Sequence, residues 1–88
     1  MRANPEFIAR DIAGELVLVP VGATAQKCDG LITCNEVGAL IWRQLEKAAD
    51  EEAVQSAILE EFEIDEKTAR GDMTEFISRL RELNAVID

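Results

Sequence analysis

The sequence predicts an α+β fold in which a three-stranded antiparallel sheet is followed by three helices. Short β-favouring runs separated by glycines fill the chain up to Cys34, and from Asn35 onward the apolar residues recur at helical spacing. The dipeptide Ala13-Gly14 is a turn signal between the first two runs. With 88 residues the chain can build one small hydrophobic core, so we expect a single domain over residues 1–88.

Three β-favouring runs predict strands near residues 8–12, 15–20 and 31–34. The second run, Glu15–Pro20, is apolar on both faces, as expected of a strand with a neighbour on each side. The polar, glycine-bounded segment Gly22–Gly30 is predicted to be a mobile loop. A meander of these strands leaves Leu31–Cys34 at an edge of the sheet, where backbone N–H and C=O groups stay unpaired.

Three amphipathic segments predict helices near residues 35–47, 51–62 and 66–83. They follow Asn35, Asp50 and Asp65, whose side chains can accept from backbone N–H groups of a first helical turn. The last helix has the clearest period, which is followed by Ala69, Met73, Phe76, Ile77, Leu80 and Leu83. Asn84 can adopt the left-handed conformation that ends a helix, and Ala85–Ile87 is expected to form a short extended tail.

Two glycines and one tryptophan in these helices carry alternative interpretations. Trp42 is predicted to pack in the core rather than to serve as an exposed ligand platform, because it borders the apolar stripe. Gly38, one turn earlier, would give Trp42 or a crossing strand room to approach the backbone. Gly71 is either a tolerated surface glycine or a point where another chain comes close, and the sequence leaves both open.

The charge of the chain argues against nucleic-acid binding. Acidic residues outnumber basic ones by 18 to 9, and the net charge of −9 repels a phosphate backbone. No apolar run approaches the ~20 residues of a membrane span. The segment Met1–Glu6 lacks the apolar core of a secretory signal, so we expect the protein in the cytoplasm.

Metal, redox and catalytic sites lack the residues they need. The chain has two cysteines and no histidine, so we expect two free thiols, with Cys34 buried beside Ile32 and Cys28 in a loop, and neither a metal nor a cofactor. Glu60 and Glu61 are explained by a solvated helix face. We therefore expect that the protein is not an enzyme.

Several segments resemble the PqqD-like family over nearly the whole chain. They are the turn Gly14-Glu15, the pair Asp29-Gly30, the Asn-x-x-Gly-x-x-Ile-Trp segment Asn35–Trp42 and the Asp-Met-x-x-Phe-Ile segment Asp72–Ile77. The resemblance implies a winged-helix-like domain that is not an enzyme. Such a domain holds the leader segment of a ribosomally made, post-translationally modified precursor peptide and presents the precursor to a modifying enzyme, often a radical SAM protein. The first strands differ from those of proteins dedicated to pyrroloquinoline quinone, so that product is not implied.

In the family, the leader lies between the third strand and the third helix and extends the sheet. That mode fits an unpaired edge strand, which offers main-chain hydrogen bonds to any sequence while neighbouring side chains select among sequences. The expected peptide-binding residues are four on the edge and five on one helix flank: Leu31, Ile32, Thr33, Cys34, Arg70, Met73, Thr74, Ile77 and Arg81. Arg70 and Arg81 would meet an acidic leader.

Two other classes of function stay open from sequence. A winged-helix DNA-binding regulator would share the topology, although it should carry a basic recognition helix. A protein-only adaptor or dimerisation module would need no peptide ligand.

Overall fold

The computed structural model describes residues 1–27 and 31–87, in which a three-stranded antiparallel sheet precedes three long helices. The elements are β1 (Arg2–Ala3), β2 (Phe7–Ile12), β3 (Glu15–Pro20), α1 (Gly22–Lys27), β4 (Ile32–Cys34), α2 (Glu36–Glu46), α3 (Glu51–Glu61), α4 (Glu66–Glu82) and β5 (Val86–Ile87). The main sheet has the order β2-β3-β4, and β1 pairs antiparallel with β5. The predicted fold class is confirmed.

The β2–β3 hairpin turns at Ala13 and Gly14, as predicted. Both residues have positive φ, 52° and 84°, which is the conformation of a two-residue turn that matches the twist of its strands. β3 then lies between β2 and β4, with Leu16, Val17 and Leu18 all buried. Its central position explains why both of its faces are apolar.

β4 is an edge strand, which confirms the prediction for this part of the sheet. It pairs with β3 through the partners Leu16↔Cys34, Val17↔Thr33 and Leu18↔Ile32. Among residues 1–27 and 31–87, no strand pairs with its other side. Ile32 and Cys34 are buried in the core while Thr33 between them is exposed, so one face of β4 belongs to the core.

The mobile loop predicted for Gly22–Gly30 is wrong over its first part, which forms the short helix α1. Gly22 has a φ of 64° and turns the chain out of β3 into this helix. The hydroxyl of Thr24 donates to the carboxylate of Glu6, which ties α1 to the start of β2. A hydrophobic period, the signal used for the other helices, is absent from this segment. Residues 28–30 lie outside the described residues.

The three long helices begin at the predicted caps. The N–H groups of Gly38, Ala53 and Thr68 donate to the side chains of Asn35, Asp50 and Asp65 over 2.8, 2.8 and 2.7 Å. Each bond satisfies a first-turn donor that the helix itself leaves unpaired. The hydrogen bonds from Thr68 also hold the pKa of Asp65 below its ordinary value, because they favour the carboxylate.

One core joins the helices to the inner face of the sheet. α2 contacts β4, α3 and α4, and Trp42 on α2 is 1 % exposed, which confirms that it packs in the core. Its Nε1 finds no hydrogen-bond partner among the described residues. Asn84 ends α4 with a φ of 60°, and the predicted tail follows as β5, paired with the strand at the start of the chain.

Gly38 leaves room for Phe76 rather than for Trp42 or a strand. A Cβ on Gly38 would lie 3.0 and 3.1 Å from the ring atoms Cε1 and Cζ of Phe76, closer than carbon atoms normally pack. A Cβ on Gly71 would meet nothing within 4 Å. The ring of α4 therefore packs directly on the backbone of α2, while Gly71 faces open space.

Alanine at the two helical glycines should have different effects on stability. Gly71→Ala should raise the free energy of unfolding by about 0.5–1 kcal/mol, because alanine restricts the unfolded chain and favours the helix. Gly38→Ala has the same helical gain but forces Phe76 aside, so we expect it to be less stable than Gly71→Ala by about 1–3 kcal/mol. Urea unfolding of both variants measures the difference. Equal stabilities would contradict the close packing of Phe76 on α2.

Candidate functional site

A cleft lies between the start of α2 and the middle of α4, at the C-terminal end of β4. Its volume is about 180 Å³, and its walls are Asn35, Val37, Gly38 and Ile41 on one side and Asp72, Glu75, Phe76 and Arg79 on the other. Sites for whole small molecules usually measure ~300–1,000 Å³. The smaller space here suits the insertion of a side chain.

The floor of the cleft is apolar because α2 and α4 approach each other closely at one point. Gly38 brings the backbone of α2 against the ring of Phe76, and the half-buried side chains of Val37 and Phe76 remain partly open to solvent. Ile41, one turn further along α2, is fully buried beneath them. An apolar side chain placed here would lose most of its contact with water.

Arg79 connects this cleft with the edge strand. Its positive charge acts on the Cys34 thiol of β4 and favours the thiolate, although burial of the thiol has the larger effect and raises the pKa of Cys34. Cys34 is 5 % exposed and free, which confirms the prediction for this cysteine. Cys28 lies outside the described residues. Arg79, which lines the cleft, is thus near enough to Cys34 for its charge to act on the thiol.

The charged side chains of the cleft have no partners within the described part of the chain. Asp72, Glu75 and Arg79 are exposed, and none forms an ion pair or a side-chain hydrogen bond with residues 1–27 or 31–87. No residue in these ranges therefore occupies any of the three charges.

The nine residues predicted to bind a peptide lie in several places. Leu31, Ile32, Thr33 and Cys34 form the open edge, with Leu31 60 % exposed, whereas Met73 and Ile77 are buried in the core. Arg70 and Thr74 line a second groove with Glu66, Lys67, Gly71 and Glu75. Arg81 is exposed and engaged in an interaction of its own. The structure does not bring Arg70 and Thr74 to the cleft beside β4, and a binding role for these residues stays a prediction.

Sequence reasoning missed Val37, Asp72, Phe76 and Arg79. The helical period places residues 72, 76 and 79 on one margin of the apolar stripe of α4, and the segment Asp72–Ile77 had already drawn attention to them. We predicted the other margin because Arg70 and Arg81 made it basic. A hydrophobic period identifies the buried stripe of a helix but not which margin faces which neighbour.

The described ranges 1–27 and 31–87 contain neither a candidate metal site nor a candidate membrane span. No group of three or more Cys, Asp or Glu side chains there could hold a metal ion. No helix there has the length and hydropathy needed to cross a membrane.

The fold is that of a small winged-helix-like protein in which, among residues 1–27 and 31–87, no strand pairs with the outer side of β4. The chain belongs to the PqqD family, since the model of "Coenzyme PQQ synthesis protein D (PqqD)" matches residues 15–86. Members of this family are peptide-binding proteins and not enzymes.

Two solved structures share the fold. TbiB1 in complex with the TbiA(beta) leader peptide has a TM-score of 0.80 and 24% sequence identity, with full coverage of both chains. Lasso peptide synthetase B1 complexed with the leader peptide has a TM-score of 0.75 and 21% identity, covering 96% of this chain and 92% of that one. No curated protein matches the chain.

The position of Arg79 beside Cys34 can be tested through the thiol. In a Cys28→Ser background, Cys34 should react slowly with a thiol reagent in the native protein and rapidly in denaturant, because it is buried and its pKa is raised. Arg79→Gln should raise the pKa of Cys34 further, since it removes the charge that favours the thiolate.

Labelling rates between neutral and alkaline pH, compared with those of Arg70→Gln in the same background, measure this effect. The Arg79→Gln profile should shift to higher pH and the Arg70→Gln profile should not. Identical profiles for the two variants would place Arg79 away from β4.

Proposed function

We propose that this protein binds the leader segment of a ribosomally made precursor peptide as an additional strand on β4. The observation that carries the proposal is a strand edge that is unpaired among the described residues and that ends at a cleft with an apolar floor. Membership of the PqqD family supports it, as do two structures of the same fold that are complexes with leader peptides.

The edge of β4 supplies the sequence-independent part of the binding. An extended peptide advances ~3.3 Å per residue, so the four residues Leu31–Cys34 offer pairing over ~13 Å. Main-chain hydrogen bonds hold such a strand, and its side chains alternate between the two faces of the sheet. Those on the inner face are directed toward the helices, while those on the outer face lie alongside Thr33.

The cleft supplies the selective part. A leucine- or phenylalanine-sized side chain that is fully buried contributes about 1.5–3 kcal/mol, and Val37 and Phe76 offer the surface against which it would pack. We propose this cleft in place of the groove at Arg70 and Thr74, because it is lined by Asn35, the residue that directly follows β4, and because the charge of Arg79 in the cleft acts on Cys34.

A protein that holds a leader needs an enzyme to act on the rest of the precursor. We propose that such a modifying enzyme, for example one of the radical SAM class, is the second partner. We also propose that the protein acts in the cytoplasm and that residues 1–88 form one binding domain. The support is family membership, and the chain itself contributes binding rather than a chemical step.

Peptide selection combined with matched variants tests the proposal. Peptides of about ten residues, long enough to cover the edge and its surroundings, would be selected from a random displayed library against the protein. Val37→Gln should weaken the selected peptide by about tenfold, since it replaces an apolar contact in the cleft with an amide. Leu40→Gln changes an equally half-buried residue of α2 in a different groove and should leave affinity unchanged.

Isothermal titration measures both affinities, and melting temperatures show whether the variants are equally folded. The proposed site would be contradicted if a selected peptide bound the Val37→Gln and wild-type proteins equally. It would also be contradicted if the peptide lost affinity only for Leu40→Gln.

A further inference from the structure

We infer that the cleft selects leaders by a pattern of charge. The preferred strand carries an anion, an apolar residue and a cation at alternate positions, so that all three face the cleft. The anion meets Arg79, the apolar residue packs on Phe76, and the cation meets Asp72. This inference rests on the proposed function and adds the sequence class of the peptide.

The spacing of the charges on α4 matches that of an extended peptide. Asp72, Phe76 and Arg79 lie about one turn apart in succession, and the seven helical steps from the first to the last cover ~10 Å of helix. Side chains on one face of a strand repeat every ~6.6 Å, so three consecutive ones cover ~13 Å. Long cationic and anionic side chains can bridge the remaining difference.

These charges are free to act on a ligand and are arranged in a defined order. None forms an ion pair with another described residue. Along α4, Asp72 precedes the apolar ring of Phe76 by about one turn and Arg79 follows it by about one turn, while Glu75 lies next to Phe76 in the chain. A peptide with charges of the opposite order, or of a single sign, would place like charges together at one end. Opposed like charges cost affinity and so reject the wrong partner.

The preference for an acidic residue in the peptide distinguishes the proposed pattern from the effect of the protein's net charge. A net charge of −9 attracts basic peptides generally, so enrichment of lysine or arginine alone would show only the long-range field. At physiological salt that field is screened over ~8 Å. An acidic residue enriched at one fixed position on so acidic a protein therefore requires a local cation, and Arg79 is the cation placed in the cleft.

The random library described above also tests this inference, through the sequences it returns rather than through affinity alone. Selection would run in parallel against the wild-type protein, Arg79→Glu and Arg70→Glu, the last being the same change on the same helix outside the cleft. Wild-type and Arg70→Glu selections should both enrich an acidic position two residues from an apolar one, with a basic position two residues beyond. The Arg79→Glu selection should replace the acidic position by a basic one.

Affinities of a synthetic peptide, one selected against the wild-type protein, then measure the size of the effect. Replacing its acidic residue with glutamine should lower affinity for the wild-type protein by about two- to fivefold, the size of an exposed ion pair, and should not lower affinity for Arg79→Glu.

Peptides that perturb the NMR signals of β4 but show no fixed charge pattern would overturn the inference and leave leader binding intact. Loss of the pattern in Arg70→Glu would also overturn it. If no peptide binds at β4, the proposed function fails, and the charge pattern fails with it.

Discussion

The unpaired side of β4 is the constraint on which the rest of the structure depends. A strand edge exposes N–H and C=O groups that can recruit another chain, and proteins normally shorten or cover such edges. Here β4 has three residues, and the Asn35 cap starts α2 immediately after Cys34. Because no linker intervenes, the first turn of α2 is held next to the end of the strand. A short, open edge and an apolar cleft are thereby placed side by side.

The contact between Gly38 and Phe76 sets the shape of that cleft. It lets α4 approach α2 closely enough to share Ile41 and Ile77 in one core, while the ring itself stays half open to solvent. The same few atoms thus pack the two helices together and form the floor of the cleft. The arginines of α4 lie in different places. The charge of Arg79 acts on Cys34 of β4, whereas Arg70 lines a different groove. A DNA-binding role would need a basic surface on this helix, and the cleft instead presents Asp72 and Glu75.

Much of this architecture could be predicted from the sequence because its signals are local. The turn at Ala13-Gly14, the caps at Asn35, Asp50 and Asp65, and the left-handed Asn84 each depend on a few neighbouring residues. α1 could not be predicted in this way, since Thr24 and Glu6 are distant in sequence and the segment lacks an apolar stripe. Which margin of α4 lies nearer to β4 also could not be predicted from the sequence. It follows from how α2 and α4 pack, which includes the close contact between Gly38 and Phe76.

The most direct test of this account is the set of NOEs between a bound peptide and the protein. Isotope-filtered spectra of the labelled protein with a selected, unlabelled peptide would report which backbone protons lie across from each other. Strand addition predicts contacts from the peptide backbone to Ile32, Thr33 and Cys34, together with side-chain contacts to Phe76. Contacts confined to α3, or to the Arg70 side of α4, would contradict the claim that β4 is the binding edge.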